Sequence, residues 1–122
     1  MTPRRYTLLL GTALATALLA PISASAQTRY RDGTYVGPTY SAYYGYVQAE
    51  AMIHGGHIVE VRVLRYPSDR ITSRRIAERS LPYLEREVIR AQSGRIYGVS
   101  GATLTSRAFI NSIDGALRRA AY

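Results

Sequence analysis

Near the C-terminal end, Ser100-Gly101-Ala102-Thr103-Leu104-Thr105-Ser106 combines small side chains with a run of hydroxyls. Downstream, Phe109, Ile113, Ala116, Leu117 and Ala120 recur at helical spacing, which predicts a helix over roughly residues 106–120. Thr105 or Ser106 is placed to cap it, its hydroxyl accepting a bond from a free N–H of the first turn. A small-residue loop feeding a helix N-terminus gathers backbone N–H groups at a positive dipole end, which is chemistry for holding a phosphate.

Other chemistries fail on residue type or spacing. Gly98-Val99-Ser100-Gly101-Ala102 misses the nucleophile-elbow pattern at its last position. The only histidines, His54 and His57, flank a Gly-Gly turn, so no triad partner for Ser100 is evident. Two histidines without a third ligand make a poor zinc set and read as solvated turn residues. Glu85 and Glu87, two apart on a helix, point in different directions and read as surface charges. No catalytic or metal site is expected.

The elements that must position the loop come from a chain of 122 residues, enough for one small domain. Met1-Thr2-Pro3-Arg4-Arg5, an apolar run over residues 8–20 and Ser23-Ala24-Ser25-Ala26 make a secretory signal peptide over residues 1–26, with cleavage near Ala26. That leaves a domain over residues 27–122 in a periplasmic or otherwise exported compartment. Arg4-Arg5 fits both the general and the twin-arginine export route. The formal charge is +8, and every basic residue is arginine. Such a surface suits anionic lipid headgroups, a peripheral membrane contact, or an acidic redox partner. Nucleic acid is not expected, since no recognised nucleic-acid motif is present. With no cysteine, disulfides and iron–sulfur ligation are excluded.

Val47, Ala49, Ala51 and Ile53 alternate with Gln48 and Glu50, and after His54-Gly55-Gly56-His57 the pattern resumes at Val59, Val61 and Val63. This predicts a β-hairpin turning at Gly55-Gly56. The tyrosines at 40, 43, 44 and 46 read as a half-buried strand surface. A helix capped at Thr72 or Ser73 follows, with Ala77, Leu81, Leu84, Val88 and Ala91 on one stripe. Pro82 should break or kink it, Ser80 should recap it, and Gly94 should stop it. Residues 95–99 read as a short strand entering the loop. The fold class expected is α+β: a small two-layer domain whose antiparallel, hairpin-based sheet packs against two or three helices.

The loop, together with the opening Asp32-Gly33-Thr34-Tyr35-Val36-Gly37 and the Tyr44-Gly45 step, resembles the FMN-binding domain family. That family includes the peripheral flavin subunits of the sodium-translocating NADH:quinone oxidoreductase and of the Rnf complex, and small exported flavoproteins. The resemblance spans about residues 32–120 and implies an FMN-carrying electron-transfer domain rather than a self-sufficient enzyme. It assigns cofactor binding to Ser100, Gly101, Ala102, Thr103, Leu104, Thr105 and Ser106; Arg107, one residue further on, reads either as an added phosphate-side donor or as a solvated helix residue. The implied acceptor of a phosphoester-linked FMN is Thr103. A flavin transferase and a membrane redox protein, a cytochrome or ferric-reductase-like protein, are the implied partners. The family usually has Asp six residues before the acceptor; here that residue is Tyr97. Covalent FMN, non-covalent FMN and a cofactor-free interaction module of the same fold therefore all remain open at the level of sequence.

Overall fold

The computed structural model describes residues 30–122, and the leader read over residues 1–26 lies outside the described residues. Four strands and two helices follow in order: β1 (Gly33–Val36), β2 (Tyr40–Ser41), β3 (Tyr46–His54), β4 (His57–Arg65), α1 (Ile71–Ala91) and α2 (Thr103–Ala120). All strand pairings are antiparallel, and β3 is the centre. β1 and β2 act as one interrupted strand along β3, their registers running from Gly33 opposite Ile53 to Ser41 opposite Tyr46. β4 pairs with the other edge through the Gly55-Gly56 turn.

The alternation in β3 decides the layers. Val47, Ala49, Ala51 and Ile53 are all buried and meet Ala77, Leu81, Leu84 and Val88 of α1 and Ala108, Phe109, Ile113 and Leu117 of α2. Sheet and helices thus form the expected two-layer α+β domain, since each amphipathic element needs another apolar face to cover its own.

Two backbone clamps fix the helices on the sheet. Ser112 of α2 is fully buried; its Oγ accepts from Ala49 N–H at 2.9 Å and donates to the Pro38 carbonyl at 2.6 Å. Gly37 lies so close to α2 that a Cβ there would overlap the Ser112 carbonyl. The Asp-Gly-Thr-Tyr-Val-Gly opening therefore serves packing. At the far end of α1, the Gln92 amide accepts from Ile58 N–H at 2.7 Å and donates to the Ile58 carbonyl at 2.9 Å, taking the place of a strand neighbour.

Several local expectations are corrected. Val59 is exposed and Ile58 buried, because a bulge opposite Met52 and Ile53 inserts one residue and shifts the alternation. Pro82 lies inside an unbroken α1. Both Pro82 and Glu78, whose carbonyl loses its donor, are exposed, so solvent can take the bond. Ser80 does not restart the helix; its hydroxyl donates to the Ile76 carbonyl at 2.7 Å. The helix ends at Ala91 with Gln92 in the left-handed region (φ 55°), ahead of Gly94. Gly94 instead gives room to Asp114, whose carboxylate would have to move if a Cβ were present there. Residues 95–99 form no strand, as they cross from α1 to α2 without a strand partner. Finally, α2 starts at Thr103, earlier than the spacing predicts.

Replacing Ser112 by Ala would strand the buried Ala49 N–H and take a donor from the part-buried Pro38 carbonyl. Urea unfolding of Ser112→Ala should show a loss of about 1–3 kcal/mol at unchanged m-value.

Candidate functional site

The early start of α2 changes what the loop presents. Its N-cap is Ala102, which has no side chain to offer, and the first helical bond runs from Ser106 N–H to the Ala102 carbonyl at 2.8 Å. The N–H groups of Thr103, Leu104 and Thr105 are therefore left without helical acceptors. α1 begins in the same way: Arg70 is an N-cap without a capping bond, and the first helical bond is Arg74 N–H to the Arg70 carbonyl at 2.9 Å. Neither first turn holds an acidic residue.

Both first turns face one cleft of about 660 Å³. Its walls include Ile71, Thr72 and Ser73 of α1 and Thr103, Leu104 and Thr105 of α2. Two positive helix ends thus converge on one space, an arrangement that favours a bound anion. The loop reaches the cleft through Gly101, whose φ of +83° favours glycine even though a Cβ there would meet open space. Ala42, Pro67, Ile76 and Ala102 supply apolar wall. Tyr44 closes one side, edge-on to Tyr43 with ring centres 4.5 Å apart, and Arg70 stacks its guanidinium 4.3 Å from the Tyr44 ring. Among the described residues, Arg70 takes part in no ion pair.

The seven loop residues divide between two spaces. Gly101, Ala102, Thr103, Leu104 and Thr105 line the large cleft. Ser100 and Ser106, with Arg107, Gly98 and Ile110, line a smaller one of about 380 Å³, and only Thr103 borders both. Thr103 is exposed, whereas Thr105 is 7% exposed and its hydroxyl has no partner among the described residues. Neither Thr105 nor Ser106 caps the helix. The buried Ser106 Oγ accepts instead from Val99 N–H at 3.0 Å, which curls the loop back over the helix. Tyr97 is 93% exposed and lines neither space.

Sequence reasoning missed the wall opposite the loop: Tyr44, Arg70, Ile71, Thr72 and Ser73. Thr72 and Ser73 were expected as caps, yet they sit inside the first turn. The one signal toward this wall was the Tyr44-Gly45 step. The two other candidate groups stay outside the site. His54 and His57 are exposed on the hairpin, and no cluster of three metal-ligating side chains occurs among the described residues. Glu87 approaches Arg90 at 3.8 Å, while Glu85 is half-buried against β4, so the two are not a carboxylate pair.

A small two-layer α+β domain with an anion-attracting cleft at two helix N-termini is the class of protein these observations define. The family profile for the FMN-binding domain matches residues 43–118, and the chain belongs to that family. FMN is accordingly its cofactor. Among solved structures, the crystal structure of the CPE2226 protein from Clostridium perfringens is similar in fold, at 22% identity and a TM-score of 0.58, covering 75% of this chain and 88% of that one. No curated protein matches. The cleft fits the cofactor on its own terms: its volume lies within the range of about 300–1,000 Å³ usual for small-molecule sites, its free amides suit a phosphate, and the buried Thr105 hydroxyl has no partner among the described residues.

Burial pushes the Glu85 carboxyl above the usual range, against the opposing pull of the Val63 N–H and of Arg86. A raised carboxyl favours the folded state below its unfolded pKa and loses that advantage as pH rises through the folded one. Glu85→Gln should therefore melt above the parent chain at neutral pH, with the gap closing near about pH 4.

Proposed function

We propose that this domain is an exported electron carrier whose FMN sits in the cleft between the first turns of α1 and α2, with its phosphate at the α2 end. The convergence on one apolar-walled space of six N–H groups and the Thr105 hydroxyl, all without partners among the described residues, carries this reading. Bound there, FMN supplies the redox chemistry. Gly101 allows close approach, and the amides of Thr103, Leu104 and Thr105 hold the phosphate. Ala42, Pro67 and Ile76 exclude water from one side of the space, and Arg70, on the α1 wall facing the loop, adds positive charge for the same phosphate.

Thr103 is the residue for a phosphoester link. It stands in the first turn of α2, exposed, with its neighbours' amides already arranged around the incoming phosphate. A flavin transferase is the implied partner for that step, and a membrane cytochrome or ferric-reductase-like protein the partner for electron exchange. Because Tyr97 is exposed and outside the cleft, its replacement of the usual Asp bears on recognition by the transferase and leaves the binding space intact.

Co-expression of the full chain with a flavin transferase, followed by denaturing electrophoresis and intact mass, tests the covalent step. Flavin fluorescence should survive denaturation, vanish in Thr103→Ala and increase in Tyr97→Asp. A dark band for both the parent and Tyr97→Asp would exclude the link.

Titration of the unmodified chain tests the cleft itself. FMN should bind more tightly than riboflavin, and Arg70→Gln should weaken FMN about tenfold to a hundredfold, in line with loss of a charge-assisted bond. Riboflavin affinity should change far less, so an equal loss for both ligands would assign Arg70 to the ring rather than to the phosphate.

A further inference from the structure

The solvent face of α1 carries a pattern that the cofactor site does not use. Ala77, Leu81, Leu84 and Val88 are buried and mark the inward stripe of this helix. Arg75, Arg79, Arg86 and Arg90 fall within roughly 60° of arc on the opposite side, at 3.6 residues per turn. All four are exposed. At 1.5 Å per residue they form a row roughly 22 Å long. Tyr83, also exposed, lies beside the row, and the acidic residues of α1, Glu78, Glu85 and Glu87, lie off it to either side. Arg90 approaches Glu87 at 3.8 Å; among the described residues no ion pair involves Arg75, Arg79 or Arg86.

We propose that this arginine row is a docking surface for an anionic lipid membrane. Four like charges in line, none of them offset by an acid within the row, constitute a cost to the isolated domain that an anionic surface removes. Lipid headgroups rearrange to meet a linear array and need no matched register, whereas a folded acidic partner needs one. Arginine stems spread their apolar length along the interface while the guanidinium groups reach phosphate, and a neighbouring tyrosine is an interfacial residue in its own right. The apolar stripe of α1 is already used against the sheet, so attachment is electrostatic and reversible, without insertion. The first turn of α1 lines the cleft, and the row begins at Arg75, directly after it. Docking along α1 therefore brings the helix turn that lines the cleft close to the membrane surface. This inference is independent of whether the cleft holds FMN.

The test is partitioning of the full chain onto vesicles of phosphatidylcholine with and without about one-third phosphatidylglycerol, read as a lipid titration at low and near-physiological salt. Neutral vesicles measure whatever the rest of the chain contributes. Arg79→Gln/Arg86→Gln is compared with Arg95→Gln/Arg118→Gln, which removes the same charge from exposed residues off the row. At roughly fivefold per arginine near an anionic surface, the row variant should lose roughly 10- to 30-fold in partitioning at low salt. The off-row variant should lose less than about threefold, and the anionic preference of the parent should shrink as salt rises. Equal losses in the two variants, or equal binding of the parent to neutral and anionic vesicles, would overturn the proposal.

Discussion

The structure depends on holding two positive helix ends at one cleft. Free N–H groups at a helix start carry about half a unit of positive charge, and here two such starts share a space without an acidic residue in either first turn. Left to themselves, the two ends would turn apart or recruit capping side chains. Instead both helices are committed to the same face of β3 and β4 through their buried stripes, and their directions are fixed by that packing. The two positive ends thus stay turned toward one space, where an anion would be favoured.

The clamps on the sheet explain why this arrangement persists. Ser112 fixes α2 to the point where β1 gives way to β2, using an Ala49 N–H that the interrupted strand leaves free. Gln92 fixes the other end of α1 to Ile58, beside the bulge, and the Tyr30 hydroxyl donates to the Gln92 carbonyl at 2.9 Å. Asp32 completes the frame: its carboxylate accepts from Gly55 and Gly56 N–H at 3.1 and 2.9 Å, which holds its own pKa below the ordinary value. A lowered carboxylate contributes stability above its unfolded pKa and loses it as pH falls through the folded one, so acid weakens this turn. Each clamp lies at an irregularity in the sheet, where a backbone group would otherwise lack a partner.

The regular parts of this design were legible in the sequence and the irregular ones were not. Alternation from Val47 to Ile53 located the central strand and its buried face, because period-2 burial leaves a direct trace in residue type. Val59 misled, since a bulge moves one residue across the sheet without changing composition. Pro82 misled as well, since its cost depends on whether the orphaned carbonyl meets water, which only the burial pattern decides. The loop over residues 100–106 was readable through its resemblance to a family. Its facing wall was not, because Arg70, Thr72 and Ser73 are some thirty residues earlier and look like an ordinary helix start. Only the tertiary fold reveals that the two starts meet.

The division of the loop between two spaces separates binding from modification. Thr105 is buried inside the large cleft, so its hydroxyl can touch a ligand but is closed to a second protein. Thr103 borders both the cleft and the outer hollow that Ser100, Ser106 and Arg107 line, and it is exposed. On the proposed reading, a modifying enzyme approaching from outside meets Thr103, and a phosphate inside the cleft meets the same residue from the other side. Tyr97 belongs to the outer surface alone. On the proposed reading, a substitution there changes what a transferase recognises and leaves the amides, Gly101 and Arg70 untouched, so covalent attachment and cleft binding are separable properties of this fold.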